Sequence, residues 1–508
     1  MTMRQRVDVN LDELDQIIDR STRAPLSESE GQKLKTALHA MAERLVRKRN
    51  TEKTSAVLPP NSAPPGKPDA SESAATGHGR NRAAAFGGAN KVTVAHPTLR
   101  PGDQCPECCQ GKVYRQKAPA TLVRFTGHAP LEATVFEIER LRCNACGEVF
   151  TADEPETAGP AKYDETAVAM IALLKYGTGV PFKRLERLQG QLGMPLPATT
   201  QWELMEAAAK PLRPALEELI RQAAQGSVMH NDDTGMRILR LTREPGDKRT
   251  GTFTSGIVSL VGAWTVALFF TGWKHAGANI ADVLKQRARG LPAPIQMCDA
   301  LSRNTPKGVE TLIANCLAHG RRQIVDVVEN FPEECRHMLE TLRGVYRHDA
   351  LAREQELSPE DRLRFHQEHS GPLMAGLHEW MEAQLAGHKT EPNSGLGKAI
   401  SYLLNHWTKL TLFLRQPGAP IDNNIVERAL KKAILNRRNA LFYKTLNGAG
   451  VGDLFMSLIH TCELNEANPF DYLTELLRHA EELKNTPSEW MPWNYRETLA
   501  RLARPAAA

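Results

Sequence analysis

The sequence predicts a multidomain α+β protein, and three observations lead to this fold class. The chain has 508 residues, which at about 150 residues per domain corresponds to roughly three domains. Its hydrophobic share of 41% and charged share of 24% are typical of folded globular proteins and exclude a disordered or fibrous chain. A strand-like segment, 226–300, lies between segments with helical periodicity, 162–224 and 306–415.

The N-terminal part predicts a helix followed by a linker. Apolar residues of segment 1–50 recur at three- and four-residue spacing, at Leu34, Leu38, Met41 and Leu45. This helix either packs on its own domain or a partner helix, or serves as a short oligomerisation helix whose basic end faces phosphate. Residues 51–98 are rich in Pro, Gly, Ser and Ala, and they predict a flexible linker because they bury too little apolar surface to fold.

Segment 99–155 contains two Cys-x-x-Cys pairs separated by 34 residues. The four thiols are Cys105, Cys108, Cys143 and Cys146. Two such pairs, each in a tight turn, suit a tetrahedral Zn²⁺ ion that stabilises a small fold. With the strand-like residues between them they predict a zinc ribbon, and chance pairing of cytosolic thiols is the alternative.

The number of cysteines and the metal-like pattern of four of them predict a reducing environment. The chain has nine cysteines, too few for a disulfide scaffold. Cys109 is interpreted as a non-ligand. The scattered ones are interpreted as small buried apolar residues: Cys298, Cys316, Cys335 and Cys462. The N-terminus has no apolar signal-peptide core, and the 17-residue apolar stretch Ile257–Trp273 is shorter than the about 20 residues of a membrane span. We therefore expect buried strands there and a cytoplasmic protein.

Segment 160–225 predicts helices with a break at 177–181. Two of them, joined by a turn near 192–197, have the layout of a helix-turn-helix whose second helix opens with small polar residues. A plain helical hairpin fits the same pattern.

Three acidic positions in and after segment 226–320 are candidates for a metal site. Asp232 lies in a strand beside Asp233, and because neighbouring strand residues face opposite sides, only one of the two can enter a given site. Asp299 ends a second strand, and Glu427 lies where a helix begins. Carboxylates that converge from two strands and a helix can hold two hard divalent ions such as Mg²⁺. Each acid alone also has an ordinary structural interpretation, which for Glu427 is a capping box with Asn424.

The spacing of these acids predicts a helical insertion. Between Asp299 and Glu427 lie 127 residues, far more than a simple core needs. Segment 321–418 is therefore predicted as a helical insertion, with a separate small helical domain as the alternative. Segment 419–480 is predicted as the C-terminal helices of the core that carry the third acid, and 481–508 as a tail.

Positive charge is concentrated near Glu427. The net charge of the whole chain is only +5, so a nucleic-acid surface has to come from local clustering. The basic residues after Glu427 are Arg428, Lys431, Lys432, Arg437, Arg438 and Lys444, and Arg321 and Arg322 form a second pair. They predict contacts to DNA phosphates, with a solvated helix face as the alternative.

Several motifs resemble those of transposases of the insertion sequence 66 family, the TnpC-type DDE transposases. The most specific is PIDNNIVERALKK at 420–432; CLAHGRR at 316–322 and HNDDT at 230–234 also match the family pattern. The resemblance implies an RNase H-like α/β catalytic core with Asp232, Asp299 and Glu427 as its first, second and third carboxylates. Two departures are Asp233 in place of the usual Glu and the CDALSRN context of Asp299.

The same resemblance implies an activity, its cofactors and its partners. The activity is cleavage and strand transfer of DNA at insertion-sequence ends, with Mg²⁺ or Mn²⁺ at the carboxylates and Zn²⁺ in the ribbon. The implied partners are the terminal inverted repeats, target DNA, further copies of the chain and companion proteins of the same element, at the bacterial nucleoid and not at a membrane. A catalytically inactive DNA-binding relative and an RNase H-like nuclease without strand transfer are the alternatives.

Overall fold

The computed structural model describes residues 97–108, 110–114, 130–142, 149–156, 159–241 and 251–503, together with Ser27. The helix predicted for 1–50 and the linker predicted for 51–98 lie almost wholly outside these described residues. The chain divides into two compact units, Asn61–Thr134 and Met1–Pro60 with Val135–Ala508. Each is described by itself.

The described part of the smaller unit contains a short antiparallel hairpin around its cysteine pair. The Gly102 N–H donates to the Val113 carbonyl (2.8 Å), and the Val113 N–H donates to the Asp103 carbonyl (2.8 Å). The Cys105 N–H then donates to the Gly111 carbonyl (2.7 Å). These bonds fold the chain back on itself and place Cys105 and Cys108 at the turn.

The larger unit is built on a five-stranded mixed sheet. Its described strands, numbered along the chain, are β1 (Arg140–Arg142), β2 (Val149–Thr151), β3 (Val228–Gly235), β4 (Ile238–Arg240), β5 (Phe253–Val261), β6 (Trp264–Gly272), β7 (Ile295–Cys298), β8 (Leu312–Asn315) and β9 (Tyr443–Thr445). The main sheet has the order β6-β5-β3-β7-β8, antiparallel from β6 to β3 and parallel from β3 to β8. This order is compatible with an RNase H-like core. Four of its strands lie in segment 226–300, where the sequence predicts strands, and most of the apolar stretch Ile257–Trp273 forms β5 and β6. The fifth, β8, lies in segment 306–415, where the sequence predicts helices and not this strand.

Helices surround this sheet. Those described are α1 (Glu165–Ala172), α2 (Phe182–Gln191), α3 (Ala198–Ala223), α4 (Ala276–Leu284), α5 (Leu317–Val325), α6 (Pro332–Glu354), α7 (Pro359–His369), α8 (Gly371–Ala386), α9 (Gly395–Asn405), α10 (Trp407–Leu410), α11 (Asn424–Ala440), α12 (Leu446–Leu464), α13 (Pro469–Arg478), α14 (Ala480–Asn485) and α15 (Tyr495–Leu502). None of these helices combines the length and the apolar character that crossing a membrane requires.

Helix α12 provides hydrogen-bond acceptors for the N–H groups of β6, the strand at one edge of the sheet. Polar side chains of α12, and of Asn465 directly after it, accept N–H groups from alternate residues of β6. The pairs are Thr271 N to Asp453 Oδ2 (2.6 Å), Phe269 N to Ser457 Oγ (3.0 Å), Ala267 N to Thr461 Oγ1 (3.1 Å) and Thr265 N to Asn465 Oδ1 (3.1 Å). Four helical residues rise about 6.0 Å and two strand residues about 6.8 Å, so the two spacings nearly match. The ladder covers an edge that would otherwise be free to pair with another chain.

The helices of segment 321–418 share their hydrophobic core with the sheet. Met338 and Leu342 of α6 belong to the same buried cluster as Met297 of β7 and Cys316. This shared core fixes the insertion helices relative to the strands that carry the acids.

The predicted helix-turn-helix region folds as α2 and α3. Gln201, in the first turn of α3, is fully buried and donates to the carbonyls of Phe182 (3.1 Å) and Leu196 (2.9 Å). Its amide therefore holds the turn between the helices. Thr199, two residues before Gln201, is exposed, and the DNA-binding role of this pair of helices stays a prediction.

Candidate active site

Strand β3 sends its two neighbouring acids to opposite sides of the sheet. The Asp233 carboxylate accepts from Ser255 Oγ (2.7 Å) and the Ala276 N–H (2.9 Å), and it pairs with His275 Nδ1 (2.8 Å). Only 2% of its side chain is exposed. The hydrogen bonds of the Asp233 carboxylate are thus used at the start of α4, where the helix dipole stabilises a negative charge. Asp232 is the acid that faces the site.

An asparagine joins the first two predicted carboxylates. Asp299 follows the last residue of β7, which lies beside β3 in the sheet. Asn304 Nδ2 donates to Asp299 Oδ1 (2.7 Å) and to Asp232 Oδ1 (3.3 Å). The Leu301 N–H also donates to Asp299 Oδ1 (3.1 Å). The structure therefore brings the side chains of Asp232 and Asp299 together around the Asn304 amide.

A buried amide network fixes Asn304. The main-chain carbonyl oxygen of Asn304 accepts from Asn231 Nδ2 and from Gln296 Nε2, both at 2.8 Å. Gln296 Nε2 also donates to Asn231 Oδ1 (2.8 Å). All three residues are fully buried, so the position of Asn304 is set by both strands that carry the acids. Sequence reasoning missed Asn304, because an asparagine in the irregular segment after Asp299 is not distinguished locally from an ordinary turn residue.

Glu427 lies in the first turn of α11, which packs closely on the sheet. The strand residue opposite Asp232 is Gly256. A Cβ at Gly256 would lie 3.0 Å from the Leu430 side chain and 3.2 Å from that of Val426, closer than side chains normally approach. The absence of a side chain at Gly256 lets the helix that carries Glu427 lie next to the strand that carries Asp232.

Asn423 anchors the start of this helix. Its Nδ2 donates to the Asn231 carbonyl (3.1 Å), its Oδ1 faces His230 Nδ1 (3.0 Å), and its N–H donates to Cys316 Sγ (3.2 Å). Burial lowers the pKa of His230 to about 4, so the ring is neutral at pH 7 and donates to Asn423. The capping-box interpretation of Glu427 is wrong, because α11 begins at Asn424 and makes no side-chain cap.

His319 lies beside Glu427 and close enough to Asp232 to affect its pKa. His319 Nδ1 is 3.8 Å from Glu427 Oε1. Burial raises the pKa of Asp232 to about 6, and repulsion from Asp299 adds to this rise. The hydrogen bond from the Asp233 N–H and the nearby His319 ring act in the opposite direction. Within the described residues, one group of three ligand-type side chains has donor atoms that all lie within 4.8 Å of one another: Cys316, His319 and Glu427.

The basic residues predicted to bind DNA are of two kinds. Arg428, Lys431 and Arg438 are exposed, and their spacing of three and seven residues places them on one face of α11. We name these three residues the basic stripe. Lys432 instead pairs with Glu463 (2.8 Å), and Arg437 Nη1 donates to Thr234 Oγ1 (3.0 Å) and to the Gly235 carbonyl.

Arg321 and Arg322, the other predicted DNA contacts, are half-buried on α5. Each of them interacts with another group of the protein. Among the predicted DNA contacts, the exposed positive charge therefore lies on the basic stripe and on Lys444 of β9.

The cysteine pair of the smaller unit, Cys105 and Cys108, lies at the turn of the hairpin. Backbone N–H groups of Gln110 and Gly111 and a hydrogen bond with Cys105 lower the pKa of the Cys108 thiol, which is fully exposed. Hydrogen bonds of this kind stabilise the thiolate form that zinc requires. Cys143 and Cys146 lie outside the described residues, so the four-thiolate site stays a prediction.

Comparison with known proteins identifies the family. The profile of the Transposase IS66 family matches residues 161–450. Two proteins of Sinorhizobium fredii (strain NBRC 101917 / NGR234) are similar along most of their length: the uncharacterized protein y4jD, 27% identical over 78% of this chain and 79% of that protein, and the uncharacterized protein y4hP, 26% identical over 73% and 69%. The family implies a DDE-type transposase, a nuclease-type enzyme that binds DNA and uses a divalent metal. The chain belongs to the Transposase IS66 family.

Proposed function

We propose that this chain cleaves DNA at the ends of an insertion sequence and joins the freed 3′ ends to target DNA. Asp232, Asp299 and Glu427 form its active site. The observation that carries the proposal is the Asn304 amide, which donates to Asp232 and Asp299 together. The packing of α11 beside β3 supports the assignment of Glu427 as the third acid.

The donor set fits hard divalent ions. The three acids offer carboxylate oxygens, which are the ligands that Mg²⁺ and Mn²⁺ prefer. Glu427 Oε1 is buried and has no hydrogen-bond partner, and such an atom favours the binding of a cation. A pair of such ions would activate the attacking oxygen and stabilise the leaving oxygen of the phosphodiester.

The protein's own residues hold and orient the reacting groups. Asn304 binds one oxygen of each aspartate and leaves the other oxygens free. Asn423 fixes the first turn of α11 and with it the position of Glu427. In the first step water attacks the phosphodiester at the element end, and in the second the freed 3′ hydroxyl attacks target DNA in line. The fixed geometry serves both steps because each requires an aligned attacking oxygen.

The basic stripe would bind phosphates beside the scissile one. Its three cations follow Glu427 on the same helix, so DNA bound by them would pass the carboxylates. Copies of the chain assembled on the two terminal repeats would bring both ends together, and companion proteins of the element remain open as further partners.

We also propose that Cys105, Cys108, Cys143 and Cys146 bind one zinc ion. The thiolate-stabilising hydrogen bonds at Cys108 support the first pair of ligands. Metal analysis of the purified chain checks this assignment: we expect a Cys105→Ser/Cys108→Ser variant to bind one zinc ion fewer per chain than the wild type. A variant that retains all of the zinc would contradict it.

A cleavage and joining assay tests the proposed activity. We expect the wild type, with Mg²⁺, to nick DNA carrying its own terminal repeats and to join the nicked strand to a plasmid. Asp232→Asn, Asp299→Asn and Glu427→Gln should each bind this DNA and neither nick nor join it. The control is Asp282→Asn, which should behave as the wild type. Asp282 lies on α4 and forms ion pairs with Lys274 and Lys285.

The same assay separates the alternatives. Nicking by the wild type without joining, even with a supplied 3′ hydroxyl end, would indicate a nuclease. Binding without nicking by the wild type would indicate an inactive relative. Either result would contradict the proposed strand transfer.

A further inference from the structure

Two helix N-termini bring a cysteine, a histidine and a glutamate together beside the aspartate pair. Cys316 is the residue before α5, His319 lies in the first turn of α5, and Glu427 lies in the first turn of α11. One donor atom of each lies within 4.8 Å of the other two. The mixed sulfur, nitrogen and oxygen set differs from the all-oxygen set of a magnesium site.

Two of these donor atoms have no hydrogen-bond partner. His319 Nδ1 and Glu427 Oε1 are both shielded from solvent and unpaired, and they face each other at 3.8 Å. That distance exceeds the about 2.7–3.2 Å of an N–H···O hydrogen bond. It is close to the separation of about 3.3 Å between two ligands that each lie about 2.0 Å from one tetrahedral zinc ion.

The local backbone holds this arrangement in place. The Leu317 N–H donates to the Ile421 carbonyl (3.0 Å), and the Asn423 N–H donates to Cys316 Sγ (3.2 Å). These bonds tie the start of α5 to the start of α11. The side chains of His319 and Glu427 are 23% and 30% exposed, so the pair lies close to the protein surface.

We propose that Cys316, His319 and Glu427 form a site for a thiophilic divalent cation of the Zn²⁺ class. Zinc accepts this donor set, with a fourth position left for water. Binding forms the bond from the metal to Cys316 Sγ and releases the thiol proton to solvent. The site is separate from the predicted ribbon and shares one ligand, Glu427, with the proposed magnesium site.

Sharing of Glu427 has a regulatory consequence, which rests on the proposed function. An ion held by Cys316 and His319 draws Glu427 away from the magnesium ions, so zinc inhibits DNA cleavage. Since zinc generally binds nitrogen and sulfur donors more tightly than magnesium does, low zinc should compete with a large excess of Mg²⁺.

Zinc stoichiometry of the full chain tests the site without any activity measurement. We expect Cys316→Ser and His319→Ala to bind one zinc ion fewer per chain than the wild type, by competition against a chromophoric chelator. Cys298→Ser is the matched control, because Cys298 is an equally buried cysteine that ends β7. The ribbon cysteines are intact in all four proteins, so their contribution cancels.

Cobalt provides a second readout of the same site. The thiolate-to-cobalt absorption of the Co²⁺-loaded protein should fall in Cys316→Ser and stay unchanged in Cys298→Ser. Equal zinc stoichiometry and equal cobalt absorption in all of the proteins would overturn the proposed site. If the site binds zinc and zinc does not inhibit cleavage, the site stands and the catalytic role of Glu427 fails, so the two failures are distinguishable.

Discussion

At the scale of single residues, the side-chain amide of Asn304 holds two negatively charged carboxylates, those of Asp232 and Asp299, close together. Asp232 and Asp299 repel each other, and this repulsion contributes to the raised pKa of Asp232. Asn304 donates to both carboxylates from a side chain that is itself buried. It can therefore hold the pair in position before any cation neutralises it.

We predict that Asn304→Ala raises the Mg²⁺ concentration needed for half-maximal DNA cleavage. The loss of hydrogen bonds to charged groups costs about 1.5–3 kcal/mol, which corresponds to a rise on the order of tenfold or more. A magnesium titration of the cleavage rate measures it. Asn405→Ala, at an exposed asparagine that ends α9, should behave as the wild type. An unchanged magnesium requirement in Asn304→Ala would contradict the positioning role.

The acids of the candidate site could be predicted from the sequence, whereas the asparagines that position them could not. An acid in or at the end of an apolar strand is conspicuous in a sequence, so the pattern makes Asp232, Asp233 and Asp299 candidates, and the family resemblance implies Asp232 and Asp299. Asn304 and Asn423 are amides in irregular segments, and nothing local distinguishes them from ordinary turn residues. Their roles depend on partners far away in the chain, such as Asn231 for Asn423, and only the tertiary fold provides these.

At the scale of elements, the approach of α11 to the sheet sets where Glu427 lies. The contact depends on Gly256, which is opposite Asp232 in β5. The sequence predicted both the strand and the helix, but it could not predict this close packing, because a glycine in a strand has several possible causes.

We predict that Gly256→Val lowers cleavage far more than DNA binding. The new side chain would enter space filled by Leu430 and Val426, so α11 has to move away from β3 and carry Glu427 with it. Such overpacking typically also costs about 1–3 kcal/mol of stability. Cleavage rates and DNA affinities measured at a temperature where the variant is folded check this. Gly450→Ala is the control, since that glycine has open space around it; full activity of Gly256→Val would contradict the account.

The ladder between α12 and β6 predicts a pH dependence of stability. Burial raises the pKa of Asp453 to about 7, against hydrogen bonds from Thr271 that lower it. Because the folded state holds this proton more tightly than the unfolded chain, Asp453 makes stability fall as pH rises from about 4 to about 7, by up to about 1.4 kcal/mol per pH unit.

Asp453→Asn should remove this dependence, because the amide mimics the protonated acid. Its oxygen can accept the Thr271 N–H, and its nitrogen can donate to Thr271 Oγ1, which lies 2.6 Å from Asp453 Oδ1. We expect the variant to be more stable than the wild type above pH 7 and the difference to shrink toward pH 4. Urea unfolding at a series of pH values measures it, and a constant difference across that range would show that Asp453 keeps an ordinary pKa.

At the scale of the whole molecule, the charge distribution decides how the chain meets DNA. The net charge of +5 is too small to attract DNA without local clustering. Lys432 and Arg437 are engaged within the protein, a pairing that composition could not reveal. The basic stripe of Arg428, Lys431 and Arg438 retains exposed charge on the helix that carries Glu427.

We predict that replacement of all three residues of the basic stripe by Gln lowers the salt dependence of DNA binding. Each phosphate contact contributes about 0.9 to the slope of log K against log salt, so the slope should decrease by about 2–3. Fluorescence anisotropy between low and moderate salt measures the slope. The matching control replaces three exposed cations of the insertion, Arg343, Lys389 and Lys398, by Gln; an equal decrease in both triple variants would contradict a specific role for the stripe.

The most direct measurement of the central claim is anomalous scattering from Mn²⁺ in crystals of the protein bound to an element end. We predict two manganese peaks about 4 Å apart, both in contact with carboxylate oxygens, with Asp232, Asp299 and Glu427 all among the ligands. Peaks at another group of residues, or a coordination sphere from which Glu427 or either aspartate is missing, would contradict the account.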